Sequence, residues 1–295
     1  MNESRMIGSR AKGHGTKPLF RWQGGKQRLR GFIVNAFPEG YGRYLEPFVG
    51  AGSVCLAVRN GRFRGPVLLG DGNPDVANIH QVVASDPAGF EAAYRVHVER
   101  HCRDYFYELR GRDASGWTPA ERAARTVYLC KAAFHGLYRV NSEGRVVSTY
   151  GTGEPSRIRL DGEHIRAVSA ALRDANIRHG DFGWIEETAQ AGDLVFLDPP
   201  YVGGNVAYVA GGFTEEDHLR LCRICRVLDA RGVRFLQTNA DRPCVRDLYR
   251  EFRLIPIPPA PAIGCGGVGR QPVGELIVCN FEPNCALEKS FSAAA

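Results

Sequence analysis

The chain contains no apolar run of the roughly 18 residues that a membrane-spanning helix needs, so no transmembrane segment is expected. Its first residues, Met1 to Lys17, are polar, basic and Gly-rich, without the apolar centre of a secretory signal. A disordered tail over residues 1–17 is the expectation, and a cytoplasmic location follows. Nine cysteines are present, but without the spacing of a disulfide framework or a zinc site. The one C-x-x-C pair, Cys222 and Cys225, falls in a helical stretch from Glu215 to Leu228. Both thiols should face a core and stay reduced, and no metal is implied. Lysine is scarce: arginine supplies most of the basic charge, and the formal net charge is +6. That mild excess permits a polyanionic partner without demanding one. Internal repeats are absent, as are low-complexity tracts beyond the tail.

With 295 residues there is chain enough for one large domain, or a domain with an insertion. Arg43 to Phe48 reads as a strand that runs into a Gly-rich turn and a helix from Val54 to about Arg59. Pro66 to Gly70 is a second strand ending at Asp71. A helix then starts at Pro74, with Val76, Ile79 and Val83 on one face. After about Ser85 the character changes. Phe90 to Arg110 and Pro119 to Ala133 are helical in period and rich in charge and aromatics. Phe134–Asn141 and Arg145–Tyr150, joined by Ser142-Glu143-Gly144, form an expected hairpin. Asp161 to Asp174 is another helix. Strands then resume at Asn176–His179, Leu194–Leu197 and Val233–Gln237, and Gly274–Asn280 closes the sheet. Strand–helix alternation of this kind predicts an α/β, doubly wound, Rossmann-like sheet. The expected division is a discontinuous catalytic domain (residues 18–85 and 175–283), a helical insert with a hairpin (86–174) and a C-terminal tail (284–295).

The most informative segment is Asp198-Pro199-Pro200-Tyr201, delivered by the apolar run Leu194–Leu197. An exocyclic amine on a nucleobase is a poor nucleophile, because its lone pair is delocalised into the ring. A carboxylate and a backbone carbonyl that accept its two N–H bonds free that lone pair. Asp198 supplies the first and Pro199 the second. Two prolines fix φ and pre-place both acceptors, and Tyr201 offers a π-face to a base taken out of its stack. The bland alternative is a solvated Asp in a Pro-rich turn.

The other half of a group transfer needs a donor site. Phe48, Gly50 and Gly52 sit where a Gly-rich turn joins the first strand to the first helix, with Ser53 just beyond. Ligands of doubly wound sheets bind in that crevice. Asp71 ends the next strand, about 20 residues on, where an acid takes ribose hydroxyls. This pattern suits an adenosine-containing cofactor without separating S-adenosylmethionine from NAD. Asp198 favours the former, since hydride transfer has no use for it. Trp22, Gly24 and Lys26 precede the first strand and suit closure over a ligand, with Lys26 near a carboxylate. Asp181 and Phe182 follow the third strand, where an adenine could be held, and Phe213 suits another wall of the pocket. Their structural alternatives are a Trp anchor, a surface Lys and a helix cap.

Together these segments resemble the Dam-type (D12 class, alpha group) DNA N6-adenine methyltransferase family. Arg21-Trp22-Gln23-Gly24-Gly25-Lys26 is similar to its N-terminal motif, Glu46-Pro47-Phe48-Val49-Gly50-Ala51-Gly52-Ser53 to its glycine-rich motif, and Gly70-Asp71-Gly72-Asn73-Pro74-Asp75 to its acidic motif. Asp198–Tyr201 resembles its catalytic tetrapeptide. The match runs in order from about Pro18 to Phe281. The resemblance implies S-adenosylmethionine as cofactor, held by Trp22, Lys26, Asp71, Asp181, Phe182 and Asp198. It implies double-stranded DNA as partner, with a flipped adenine held by Asp198 to Tyr201. In the hairpin, Phe134, His135, Leu137, Arg139 and Asn141 would meet DNA. Arg139 suits a guanine edge and Leu137 an apolar wedge. The family commonly has Asn where His135 stands and Tyr where Val140 stands. A His ring nitrogen makes one bond only, so its base preference need not be that of an amide. The expected function is site-specific DNA adenine methylation. Methylation of another planar amine, such as cytosine N4 or RNA, and a catalytically silent DNA-binding protein remain the alternatives. Oligomeric state and biological setting are left open.

Overall fold

The computed structural model describes residues 15–141, 143–151, 154–202, 212–257 and 274–284. The tails beyond residues 15 and 284, and the expected hairpin-turn residue Ser142, lie outside the described residues.

In chain order the elements are α1 (Arg30–Ala36), β1 (Tyr44–Glu46), α2 (Ser53–Asn60), β2 (Val67–Asp71), α3 (Pro74–Ser85), α4 (Pro87–Glu99), α5 (Arg103–Gly111), α6 (Pro119–Ala132), α7 (Pro155–Ile158), α8 (Gly162–Leu172), β3 (Ala175–His179), α9 (Trp184–Thr188), β4 (Leu194–Leu197), α10 (Glu215–Ala230), β5 (Arg234–Ala240), α11 (Pro243–Leu248), β6 (Arg253–Ile257) and β7 (Glu275–Cys279). Among the described residues, seven strands form one sheet in the order β3-β2-β1-β4-β5-β7-β6. β1 to β5 are parallel, and β7 runs antiparallel between β5 and β6. β1 pairs with both β2 and β4. The strand order therefore reverses at β1, and the crevice beyond its carboxyl end is the natural ligand site of such a sheet.

The central strands are apolar because both of their faces are covered. β4 is buried at every residue, as a parallel strand between helical layers must be. One buried cluster joins Ile33, Val54, Leu69, Val83 and Phe196 to Phe90, Phe106 and Tyr128 of the segment between α3 and β3. That segment thus shares a core with the sheet. A second cluster on the other face unites Leu45, Val195, Leu197, Phe235 and Val278 with α10. Cys222 and Cys225 lie in it as free, buried thiols, as their helical spacing implied.

Three details correct the sequence-based expectations. The stretch Phe90–Arg110 is two helices, since Cys102 turns extended and its sulfur caps α5 by accepting from the Tyr105 amide. The segment 274–280 does not close the sheet: β7 is inserted between β5 and β6, and β6 forms the edge. The hairpin is open. Its arms meet through isolated bridges, Ala133 with Tyr150 and Val140 with Val146, without forming continuous strands. At the edges of the described residues, the Thr16 amide donates to Asn60 Oδ1 (3.1 Å) and Asn284 Nδ2 donates to the Phe37 carbonyl (2.9 Å). No helix among the described residues is long and apolar enough to cross a membrane.

Candidate active site

A cavity of about 440 Å³ lies along the carboxyl ends of β1 to β4. The turn after β1 forms its floor. Gly50 and Gly52 have φ of +48° and +77°, a region that L side chains rarely adopt. A Cβ at Gly50 would also stand 3.2 Å from the Trp22 ring, so only glycine lets the backbone pass there. The turn is clamped from two sides. Asp71 Oδ2 accepts from the Gly50 amide at 2.9 Å, and His80 Nε2 donates to the Gly50 carbonyl at 2.7 Å. Burial pushes the His80 pKa down and disfavours the charged ring, and the carbonyl partner requires the proton on Nε2. Asp71 Oδ1 accepts from the Asn73 amide at 2.9 Å, and Asn73 in turn caps α3 through Asp75 and Val76. Burial lifts the Asp71 carboxyl to about 6, against the pull of those two amides. Each oxygen accepts one backbone amide and Asp71 lines the cavity.

Aromatic side chains make the wall below β3 and β4. Phe48, Phe182 and Phe213 pack as a triangle, with ring centroids 5.3, 5.8 and 5.6 Å apart. The Arg220 guanidinium covers the Phe182 ring at 4.1 Å and pairs with Asp181. Asp181 Oδ1 accepts from the Gly183 amide at 2.8 Å. Both Asp181 oxygens are thus engaged, and the Asp181 side chain orients the turn ahead of α9.

Asp198 emerges from β4 into the same cavity. Its Oδ1 accepts from Thr238 Oγ1 at 2.6 Å and from the Lys26 ammonium at 2.7 Å. Oδ2 takes no hydrogen bond among the described residues and is left for a ligand. Lys26 also donates to the Gly24 carbonyl at 2.6 Å and lies 4.7 Å from the Tyr201 ring centroid. Sequence reasoning placed Lys26 beside a ligand carboxylate. The structure pairs it with Asp198, because the Gly24-Gly25 turn folds it inward, where it is buried. The Tyr201 hydroxyl donates to Glu275 Oε2 at 2.7 Å, which fixes its ring, and burial holds the phenol well above its ordinary pKa.

Sequence reasoning missed Thr238, Glu275, His80 and Glu46. The first three act from β5, β7 and α3 on groups far away in the chain, and no local motif announces them. Glu46 lies within a quoted motif. Its buried carboxylate accepts from the Tyr44 hydroxyl at 2.7 Å, and burial raises its pKa to about 8.

The hairpin residues sit apart from this cavity. Phe134 to Gly136 form one 3-10 turn in which His135 has a φ of +54°. Phe134 and His135 are exposed, with ring centroids 4.1 Å apart, and Leu137 is half-buried. The Arg139 side chain is exposed. Asn141 Oδ1 accepts from the amides of Glu143 and Arg145, at 3.1 and 2.8 Å, so its carbonyl serves the hairpin turn and its NH2 is what remains for a partner. Tyr138 anchors the arm: it is buried, donates to Asp75 Oδ2 at 3.0 Å and packs 5.6 Å from the Trp22 ring. No cluster of three metal-ligating side chains occurs among the described residues.

The site therefore combines a doubly wound sheet, a clamped glycine turn at its switch point, and a carboxylate beside an aromatic ring, an arrangement suited to a nitrogen methyltransferase. The chain belongs to the D12 class N6 adenine-specific DNA methyltransferases, whose family model matches residues 22–258. It is 30% identical over 276 residues to the type II methyltransferase M1.LlaDCHI of Lactococcus lactis subsp. cremoris, covering 90% of this chain and 95% of that one. It is 27% identical over 287 residues to the type II methyltransferase M.MjaIII of Methanocaldococcus jannaschii, covering 90% and 99%. To the DNA adenine methylase of Escherichia coli K12 it is 28% identical over 271 residues, covering 88% and 94%. The protein is a DNA adenine methyltransferase, which uses a methyl donor and acts on DNA.

Proposed function

We propose that the protein methylates N6 of an adenine flipped out of duplex DNA, with S-adenosylmethionine as donor. The carrying observation is that Asp198 presents a free Oδ2 to the cavity that also contains the clamped turn and Asp71.

The cavity fits that donor. The glycine cradle leaves no room for a side chain at Gly50, the Asp71 lone pairs suit ribose hydroxyls, and Phe48 and Phe182 suit an adenine ring. Trp22, Gly24, Gly52 and Ser53 complete the donor's surroundings. Once bound, S-adenosylmethionine supplies an electrophilic methyl group. The chain's own residues prepare the acceptor. Asp198 Oδ2 and the Pro199 carbonyl accept hydrogen bonds from the two N6–H groups and localise the lone pair on nitrogen. Pro199 and Pro200 keep both acceptors in place. Tyr201 stacks on the base, and its bond to Glu275 presets the ring.

Residues 86–174 act in this reading as the target-recognition insert, with Phe134, His135, Leu137, Arg139 and Asn141 facing DNA. The exposure of Phe134 and Arg139 supports that role. The type II names of two relatives support a place in restriction–modification, and such work is done in the cytoplasm, where the DNA is.

The test is single-molecule methylation mapping of DNA from cells that express the protein, against an Asp198→Ala control. N6-methyladenine in one motif, absent from the control, is the expected result. Modification of cytosine or of RNA alone would replace adenine as the target.

A further inference from the structure

A second cavity, of about 910 Å³, opens between the N-terminal segment and helices α6 and α7. Trp22, Gly25, Ala51 and Ser53 line both cavities, so the second runs into the rim of the first. Its wall carries Lys17, Arg21, Arg28, Lys131 and Arg157, and no Asp or Glu. Among the described residues, Lys17, Arg21, Arg28 and Lys131 form no ion pair, and Arg157 has only an exposed one, with Glu154 at 3.5 Å. The chain has 32 acidic residues, and folding has kept every one of the described acids off this wall.

Lys131 is the sharpest case. It is half-buried, its ammonium has only the Leu19 carbonyl at 3.5 Å, and burial together with Arg21 pushes its pKa down. Like charges brought together without a counter-charge destabilise the fold, and an anion between them offsets that cost. A base inside the first cavity brings its own two phosphates to the mouth, and this cation-lined wall borders that mouth.

We propose that the second cavity is a phosphate track. It holds the backbone of the target strand beside the flipped nucleotide, with Lys131 as its inner anchor and Lys17, Arg28 and Arg157 along its outer walls. The inference rests on the DNA-methylating reading and extends the DNA surface beyond the hairpin. Such contacts position the strand without reading sequence.

Salt dependence separates a phosphate contact from a packing role. Wild type, Arg28→Met and Lys131→Met are titrated with a labelled mixed-sequence duplex between about 50 and 200 mM salt. Each lost phosphate contact should lower the slope of log K against log salt by about 0.9. A duplex carrying the mapped motif, with single phosphates near the target adenine replaced by uncharged methylphosphonates, then locates the contact. One replacement should weaken wild type and add nothing in Lys131→Met. Melting and S-adenosylmethionine affinity without DNA check that each variant is folded. Should Lys131→Met fail that check, the exposed Arg28→Met carries the test alone. Unchanged slopes in folded variants, or full additivity at every phosphate, overturn the track. In that event wild type still methylates DNA, whereas failure of the functional reading removes methylation from wild type itself.

Discussion

The ammonium of Lys26 lies 2.7 Å from Asp198 Oδ1 and 4.7 Å from the centre of the Tyr201 ring. A cation thus rests on the two groups proposed to receive the target base. Thr238 shares the same oxygen. Two donors on Oδ1 hold the carboxylate in one orientation and leave Oδ2 without a bond among the described residues, so in the proposed reading the acceptor for N6 is set before any base arrives.

Asp198→Asn should abolish that arrangement while keeping its shape. If Oδ1 keeps its bonds to Lys26 and Thr238, the amide presents NH2 to N6, donor against donor. Single-turnover methylation should fall by at least about 10²–10³-fold, the scale of losing a pre-placed electrostatic partner. S-adenosylmethionine affinity, measured by calorimetry, should stay within a few-fold. A folded Asp198→Asn with near-normal turnover would show that another group accepts the N6 protons.

Tyr201 separates stacking from hydrogen bonding. Tyr201→Ala removes the ring, and the expected loss is about 1–3 kcal/mol in kcat/KM, the usual worth of stacking a base on an aromatic. Tyr201→Phe keeps the ring but leaves Glu275 Oε2 without its donor. Its cost should appear mainly in thermal stability, with a smaller change in methylation. If both variants lose activity equally, the Tyr201–Glu275 bond, and not the π-face, is what the reaction needs.

Much of this site was legible in the chain because motif residues cluster at strand ends. Asp71, Asp198 and the Gly50–Gly52 turn were placed by the rule that parallel strands deliver ligand residues at their carboxyl ends. The groups that hold them were not legible. Thr238 and Glu275 come from β5 and β7, whose pairing depends on a sheet order that local pattern does not encode. The edge strand β6 escaped because Arg253–Ile257 contains Pro256, which demotes a run to non-strand unless it is known to be an edge. The contact of Lys26 with Asp198 was not legible either, since a side chain's direction depends on the Gly24-Gly25 turn.

Arg139 is exposed on the hairpin arm just before the turn, where a guanidinium can reach a guanine edge. Arg139→Ala should cost about 1–3 kcal/mol of discrimination at one base position and spare the others. Methylation rates on a set of single-base variants of the mapped motif read this directly. An equal loss on every duplex would make Arg139 a phosphate contact.

Asp71, lifted to about 6 by burial, makes donor binding depend on pH. An ionised carboxylate accepts from two hydroxyls, and the neutral acid accepts less well. S-adenosylmethionine affinity should therefore rise as pH passes upward through about 6 in wild type and stay flat in Asp71→Asn. Calorimetric titrations at several pH values check both. A parallel rise in the two proteins would assign the titration to another group.

Glu46 gives a stability signature that falls with rising pH, over a wider window. Its folded pKa, about 8, lies above the ordinary 4.5, so the folded state keeps a proton that the unfolded chain has lost. Its contribution is fully present below the ordinary value and is lost progressively as pH rises through about 8. Asp71 behaves alike, but its window closes near 6. Between about 6 and 8, therefore, Glu46 is the one of the two that still titrates. Glu46→Gln keeps an oxygen for the Tyr44 hydroxyl and carries no proton to lose. The variant should gain stability relative to wild type across that interval and hold a constant difference above it. Paired thermal melts at matched pH values measure the difference, in which other titrating groups cancel. A difference that does not change with pH would mean that Glu46 is already ionised in the folded protein, and that Asp198 and Asp71 face a third negative charge in the cavity.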